Sequence, residues 1–242
     1  MKQIFTYLWR FWFVVLGIIL TLILGPFIYF FALSERHFSK SYQAMRLWAK
    51  GMLYGMGFRY ELIKETDKTI DPNKQYIIIA NHTSEIDVFL PCIMLPKHPL
   101  SFVGKKELEK IPVFGTIFKK IAVSVDRKDP ESRAEVYTKC AERIKEGKSV
   151  VIFPEGGVTD DMSVVLQNFR MGAFNMAVQH QFEIIVYTFI DLKYMFPFDK
   201  SKGYPGTIKV YLNDILEPHS DAEVLKEKAW NLMHNTLTKH LK

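Results

Sequence analysis

From Phe11 to Leu33 the chain carries no charged side chain. A helix rises ~1.5 Å per residue, so a run of this length can cross the ~30 Å hydrocarbon core of a bilayer. Arg10 bounds it on one side and Glu35-Arg36 on the other. A helix buried in a soluble core is one alternative. A cleaved secretory signal is another, since Ala32-Leu33-Ser34 offers a small-x-small site. The run exceeds the ~7–15 residues of a signal core, which favours a retained membrane anchor. Gly25-Pro26 lies inside it. Proline within a helix removes one backbone hydrogen bond and favours a kink, so the segment either crosses the bilayer or bends within one leaflet.

A second stretch, residues 41–58, mixes Leu47, Trp48, Met52, Leu53, Tyr54 and Met56 with Arg46 and Lys50. It reads as an amphipathic helix, either lying at the membrane interface or docking on the domain that follows. More basic residues follow the apolar run than precede it: Arg36, Lys40, Arg46 and Lys50 against Lys2 and Arg10. The positive-inside rule then puts the rest of the chain on the cytoplasmic face.

Beyond residue 58 the pattern changes. Short apolar runs alternate with helical periods, which predicts strands over 60–63, 76–80, 101–103, 121–125, 150–153, 183–190 and 207–212. The predicted helices cover 87–94, 113–120, 131–146, 169–179 and 221–240. Strands alternating with helices specify an α/β fold, here a largely parallel mixed sheet flanked by helices, with an N-terminal helical membrane-anchoring segment. The chain divides into membrane-associated helices over 1–58 and an α/β domain over 59–242. With 242 residues and 48% apolar content it has ample material for a core. Cys92 and Cys140 form no C-x-x-C pair, which argues against a disulfide framework or a zinc site. The net charge of +6 suits a phospholipid surface, a phosphorylated substrate or nucleic acid. No nucleic-acid-binding motif is present, and the apolar run suits a membrane better.

In open α/β sheets, ligands bind beyond the carboxyl ends of strands. Three polar loops stand there. Asn81-His82-Thr83-Ser84-Glu85-Ile86-Asp87 follows the 76–80 run. Histidine accepts a proton near neutral pH, and a carboxylate can fix its tautomer. In one continuous helix a spacing of five sets residues ~140° apart, so His82 must lie in the turn and Asp87 in the first helical turn. Ser84-x-x-Asp87 also has the form of a capping box, in which Asp87 only satisfies the helix end. The second loop region carries Lys105, Lys106 and, further on, Arg127, cations at strand ends that can hold a phosphate or sit as solvated surface charge. The third, Phe153-Pro154-Glu155-Gly156-Gly157, offers glycine N–H groups to an anion and a glutamate able to bind an arginine and brace the site; a plain Gly-Pro turn is the alternative.

Together and in this order the loops resemble the glycerolipid acyltransferase family. The match comprises Asn81-His82 with Asp87; Lys105 to Leu108, Pro112 to Gly115 and Asp126-Arg127; Phe153 to Gly156; and Phe169-Arg170-x-Gly172-Ala173-Phe174. The resemblance implies direct acyl transfer from acyl-CoA or acyl-carrier protein to a lysophospholipid hydroxyl, with no bound cofactor or metal. It makes His82 the general base and Asp87 its partner, with Lys105, Arg127, Glu155, Gly156 and Gly157 holding the acceptor phosphate. It further implies 1-acylglycerol-3-phosphate as acceptor and phosphatidic acid as product, made at a membrane. Two positions depart from the pattern. Val158 stands where the family usually has an arginine, and Ile184 to Tyr187 lacks the usual proline. The first leaves other acceptors open, such as glycerol-3-phosphate, another lysophospholipid or a lyso-aminolipid. A lipid-binding protein without catalysis is the reading from another class, and it would not require the His82/Asp87 pair.

Overall fold

Residues 2–159 and 161–240 are described in a computed structural model of the chain. The helices are α1 (Lys2–Phe31), α2 (Phe38–Gly55), α3 (Phe89–Met94), α4 (Phe114–Ile121), α5 (Pro130–Lys145), α6 (Gly172–His180), α7 (Leu192–Met195) and α8 (Ala222–His240). The strands are β1 (Arg59–Lys64), β2 (Ile77–Ala80), β3 (Leu100–Lys105), β4 (Ala122–Val125), β5 (Ser149–Ile152), β6 (Ile184–Phe189) and β7 (Thr207–Leu216). Among the described residues they form a seven-stranded sheet in the order β1-β7-β6-β2-β5-β3-β4.

The α/β fold with a largely parallel mixed sheet is present as expected. β2 to β6 all run the same way. β7 lies antiparallel to β6, and β1 pairs parallel to β7 at the edge. Both neighbours of β2 are parallel, with Ile78 opposite Val151 and Ile185. Every residue of β2 is buried, as a parallel strand covered on both faces requires. Side chains alternate between the faces. Ile78 and Ala80 join one core cluster with residues of α1, α2 and α3. Ile77 and Ile79 join the other, with α5, α6 and α8.

β2 is followed by α3 and a crossover to β3, beyond β5, whereas β5 is followed by a crossover to β6, beyond β2. The chain thus leaves these two adjacent strands in opposite directions. Their carboxyl ends flank the topological switch point, where a crevice opens above an α/β sheet.

The N-terminal helices are tied to this sheet. Pro26 lies within α1 without ending it. The amphipathic stretch forms α2, which docks on the domain: Tyr42, Met45, Ala49, Met52 and Leu53 are buried in the same cluster as β2. Glycines let the two helices approach closely. A Cβ at Gly51 would meet Leu20, and one at Gly55 would meet Leu16. Trp9 and Trp12 donate indole N–H groups to Met56 O and Gly55 O, carbonyls at the C-terminal end of α2. Arg10, only 8% exposed, donates to Pro197 O at 2.6 Å and Lys202 O at 2.8 Å, and its guanidinium sits 3.6 Å from the Phe196 ring centroid. α1 is therefore fastened to the domain from Trp9 to Ile28, whose carbonyl accepts from Ser41 Oγ. Its other side exposes Ile4, Leu8, Phe11, Ile18, Leu22, Ile23, Phe27 and Phe30.

Docking of α2 makes its two faces unequal. Leu53→Ala, at a fully buried position, is expected to cost ~2–5 kcal/mol, whereas Leu47→Ala, at 56% exposure, should stay within ~0.5 kcal/mol. Thermal midpoints in detergent measure both. Equal, small shifts would mean that α2 does not share the core.

Candidate functional site

The carboxyl end of β2 is fixed first. Asn81, 1% exposed, donates from Nδ2 to Phe189 O at 2.9 Å and accepts at Oδ1 from Phe189 N–H at 2.7 Å. Its side chain thereby adds a rung to the β2–β6 ladder where the main chain turns away. His82 comes next, and its ring is stacked on Phe153 at the end of β5, with centroids 4.3 Å apart.

Asp87 is fully buried. Its Oδ2 lies 3.0 Å from His82 Nδ1 and accepts from the N–H groups of Thr83 at 2.6 Å and Ser84 at 2.9 Å. The capping-like and the histidine-orienting readings of Asp87 thus meet on one oxygen. The expected location needs correction. Asp87 lies in the turn before α3, not in its first helical turn, because α3 begins at Phe89. Pro91 explains the shift. A helix begun at Asp87 would need an N–H at Pro91, whereas a start at Phe89 leaves Pro91 in the first turn, where no donor is required. Ser84 Oγ does not close a capping box. It donates to Phe196 O at 2.8 Å and accepts from Ile86 N–H.

Glu155 faces this turn from the end of β5. It is 7% exposed; Oε1 accepts from His82 N–H at 2.7 Å and Oε2 from Gln167 N–H at 3.0 Å. Burial raises its carboxyl above the ordinary carboxylate range, against the pull of those two donors. Its expected place among the phosphate-holding residues is not supported by this geometry. A carboxylate turned to two protein N–H groups repels phosphate; what Glu155 does is brace the backbone of His82. Gly156 and Gly157, expected to offer N–H groups to an anion, lie beside two arginine side chains; the Gly156 N–H donates to Phe153 O at 3.0 Å. Gly156 has φ +74°, and a Cβ there would fall on the Arg170 side chain. A Cβ at Gly157 would lie 3.2 Å from Arg127 Nη1. Burial, then the nearby Arg170 charge, lowers the Arg127 guanidinium from its ordinary value.

Lys105 at the end of β3 and Arg127 just past β4 reach the same end of the sheet, because β2, β3, β4 and β5 are parallel. Lys105, Arg127, Arg170 and His82 line one cavity of about 490 Å³. The rest of its wall is largely apolar. Gly25, Ile28, Met45 and Trp48 come from α1 and α2, and Ile117 and Phe118 from α4. One chamber therefore combines a histidine held by a buried carboxylate, a cluster of cations and an apolar lining. This set can move a proton, hold an anion and accommodate a hydrocarbon chain. Among the described residues, no three His, Cys, Asp or Glu side chains gather as ligands for a metal ion.

Asn81, Ser84 and Gln167 brace the site in ways that the sequence motifs do not announce. Asn81 was readable as a strand-end polar residue. Gln167 sits in an irregular segment and carries no local signal.

The acyltransferase family model matches residues 61–190. A 1-acyl-sn-glycerol-3-phosphate acyltransferase of Chlamydomonas reinhardtii is 27% identical over 172 residues, 70% of this chain and 51% of that protein. A chloroplastic 1-acyl-sn-glycerol-3-phosphate acyltransferase of Arabidopsis thaliana is 28% identical over 216 residues, 88% of this chain and 58% of that protein. The chain thus spans little more than half the length of these curated relatives. The crystal structure of the 1-acyl-sn-glycerophosphate acyltransferase of Thermotoga maritima superposes with a TM-score of 0.80 at 19% identity, covering 99% of this chain and 97% of that one.

The bracing by Glu155 is open to test without any substrate. Glu155→Gln keeps the shape but sets an NH₂ group against one of two N–H donors. It should destabilise the fold by ~1.5–3 kcal/mol and shift the His82 ring resonances in NMR spectra. An unchanged unfolding midpoint with unmoved resonances would remove Glu155 from the site.

Proposed function

The chain belongs to the acyltransferase family, and on that premise we propose that it moves a fatty acyl group from an acyl thioester to the sn-2 hydroxyl of 1-acylglycerol-3-phosphate, forming phosphatidic acid. The observation that carries this reading is the 3.0 Å contact of His82 Nδ1 with buried Asp87 Oδ2, beside a chamber lined by both cations and hydrocarbon. With Nδ1 engaged by the carboxylate, Nε2 is the ring nitrogen left to act as base. It removes the proton of the acceptor hydroxyl as the oxygen attacks the thioester carbon. The C–O bond forms, the C–S bond breaks, and the imidazolium returns its proton to the departing thiolate. Asp87 holds the ring and balances its positive charge. Transfer is direct, because no Ser or Cys sits in a nucleophile motif. The donor is acyl-CoA or acyl-carrier protein.

Lys105, Arg127 and the N–H of Gly157 would hold the acceptor phosphate; Gly156, expected to share this role, has its N–H donated to Phe153 O at 3.0 Å and serves the turn instead. The relatives named for 1-acylglycerol-3-phosphate acylation support the choice of acceptor. The apolar part of the chamber would receive an acyl chain, at ~0.8 kcal/mol per buried CH₂. Membrane association follows from the exposed apolar side of α1. Since the opposite side of that helix is fastened to the domain, we read α1 as lying in one leaflet, with the domain on the cytoplasmic face. The acceptor then reaches the chamber without leaving the bilayer.

Two measurements check this reading. His82→Ala should lower thiol release from acyl-CoA with lysophosphatidate by ~10²–10⁴-fold while leaving the fold intact; turnover at the wild-type rate would sink the assignment. Replacing Ile19, Leu22 and Ile23, all on the exposed side of α1, by lysine should abolish sedimentation with zwitterionic liposomes, where added charge brings no attraction, and leave the thermal midpoint nearly unchanged. Full sedimentation of that variant would mean that another surface binds lipid.

A further inference from the structure

With Val158 uncharged, any phosphate in the chamber must be held by groups elsewhere, and the structure brings a second arginine to the 153–157 loop. The backbone N–H of Arg170 donates to Pro154 O at 2.8 Å, which pins residue 170 to that loop. Its side chain lies along the Gly156 backbone, the Cδ at 2.6 Å and the guanidinium Cζ at 3.0 Å from where a Cβ of Gly156 would stand. Arg127 approaches the adjacent Gly157 in the same way. Both guanidiniums line the chamber that His82 lines. They come near enough for the charge of Arg170 to disfavour the charged form of Arg127. The Glu107 carboxylate acts on Arg127 in the opposite sense. Two guanidiniums beside one short loop of a single chamber offer two planar forks, and a phosphate monoester can accept one from each.

We propose that Arg170 is a specificity-determining residue, which with Arg127 grips the phosphate monoester of the acceptor beside Gly157 and supplies the charge that position 158 lacks. The inference rests on the acceptor reading given above. Coenzyme A also carries phosphates, so the same chemistry could serve the donor, and kinetics separates the two.

The test uses the full-length protein in mixed micelles. Wild type, Arg170→Gln and Arg170→Lys are assayed with lysophosphatidate varied at saturating acyl-CoA, and then with acyl-CoA varied at saturating lysophosphatidate. Arg170→Gln should raise KM for lysophosphatidate about tenfold or more and leave KM for acyl-CoA within twofold. Arg170→Lys should recover part of the loss, since it restores a point charge without the fork. Arg170 is exposed, so the unfolding midpoint should not move. A selective rise in KM for acyl-CoA would hand the residue to the donor and overturn the proposal. So would a lower kcat with both KM values unchanged, or kinetics equal to wild type. If wild type itself fails to turn over lysophosphatidate but acylates another acceptor, the acceptor reading falls, and that result is visible before any substitution is made.

Discussion

Parallel hydrogen bonding of β2 with both β5 and β6 is the constraint from which the site follows. A parallel pair cannot be closed by a hairpin, so each strand must be followed by a crossover, and every crossover starts at the same end of the sheet. Residues far apart in sequence are thereby delivered to one place. His82 leaves β2, Lys105 ends β3, Arg127 follows β4 and Glu155 follows β5. The departure of the chain to opposite sides after β2 and β5 separates their loops enough to form a crevice. The stacking of His82 on Phe153 and the hydrogen bond from His82 N–H to Glu155 span it.

Within that frame, buried carboxylates do most of the local ordering. Asp87 Oδ2 holds two backbone N–H groups and the histidine ring, so ring position and turn conformation are set by the same atom. Glu155 does the equivalent from the neighbouring strand for the backbone of His82. Ser84, through its hydroxyl, ties the turn to Phe196, whose ring lies beneath the guanidinium of Arg10. The histidine is thus supported from the sheet and from the N-terminal helix together.

Much of this was legible from residue patterns. The runs Ile77–Ala80, Val150–Ile152 and Ile184–Phe189 are strongly β-branched and apolar, and they were placed to within a residue or two. The antiparallel position of β7 was not legible. Register and order depend on contacts between strands, which periodicity does not encode, and β7 extends past Leu212 because Asn213 finds Thr188, Glu65 and Thr236 as partners. The late start of α6, at Gly172 rather than Phe169, has a tertiary cause too, since Arg170 N–H is drawn to Pro154 O. The pair His82 and Asp87 could be named from spacing, but their geometry required knowing that Pro91 delays α3. The bracing role of Glu155 was hidden because a glutamate beside glycines reads equally well as a ligand-facing or an inward-facing group.

The clasp of Arg10 on the carbonyls of Pro197 and Lys202 joins residues separated by 187 and 192 positions. Its cation is synthesised well before its partners, which follow 187 and 192 positions later. Until residues near 200 are made, the first helix has neither its acceptors nor the Phe196 ring, and its cation must stay solvated. Contacts of such long sequence separation form late and slow the search for the native state. Nascent chains of this protein therefore hold an apolar helix with an unmet charge while all the intervening residues are made. The helix locks onto the domain only once the stretch around residue 200 has emerged.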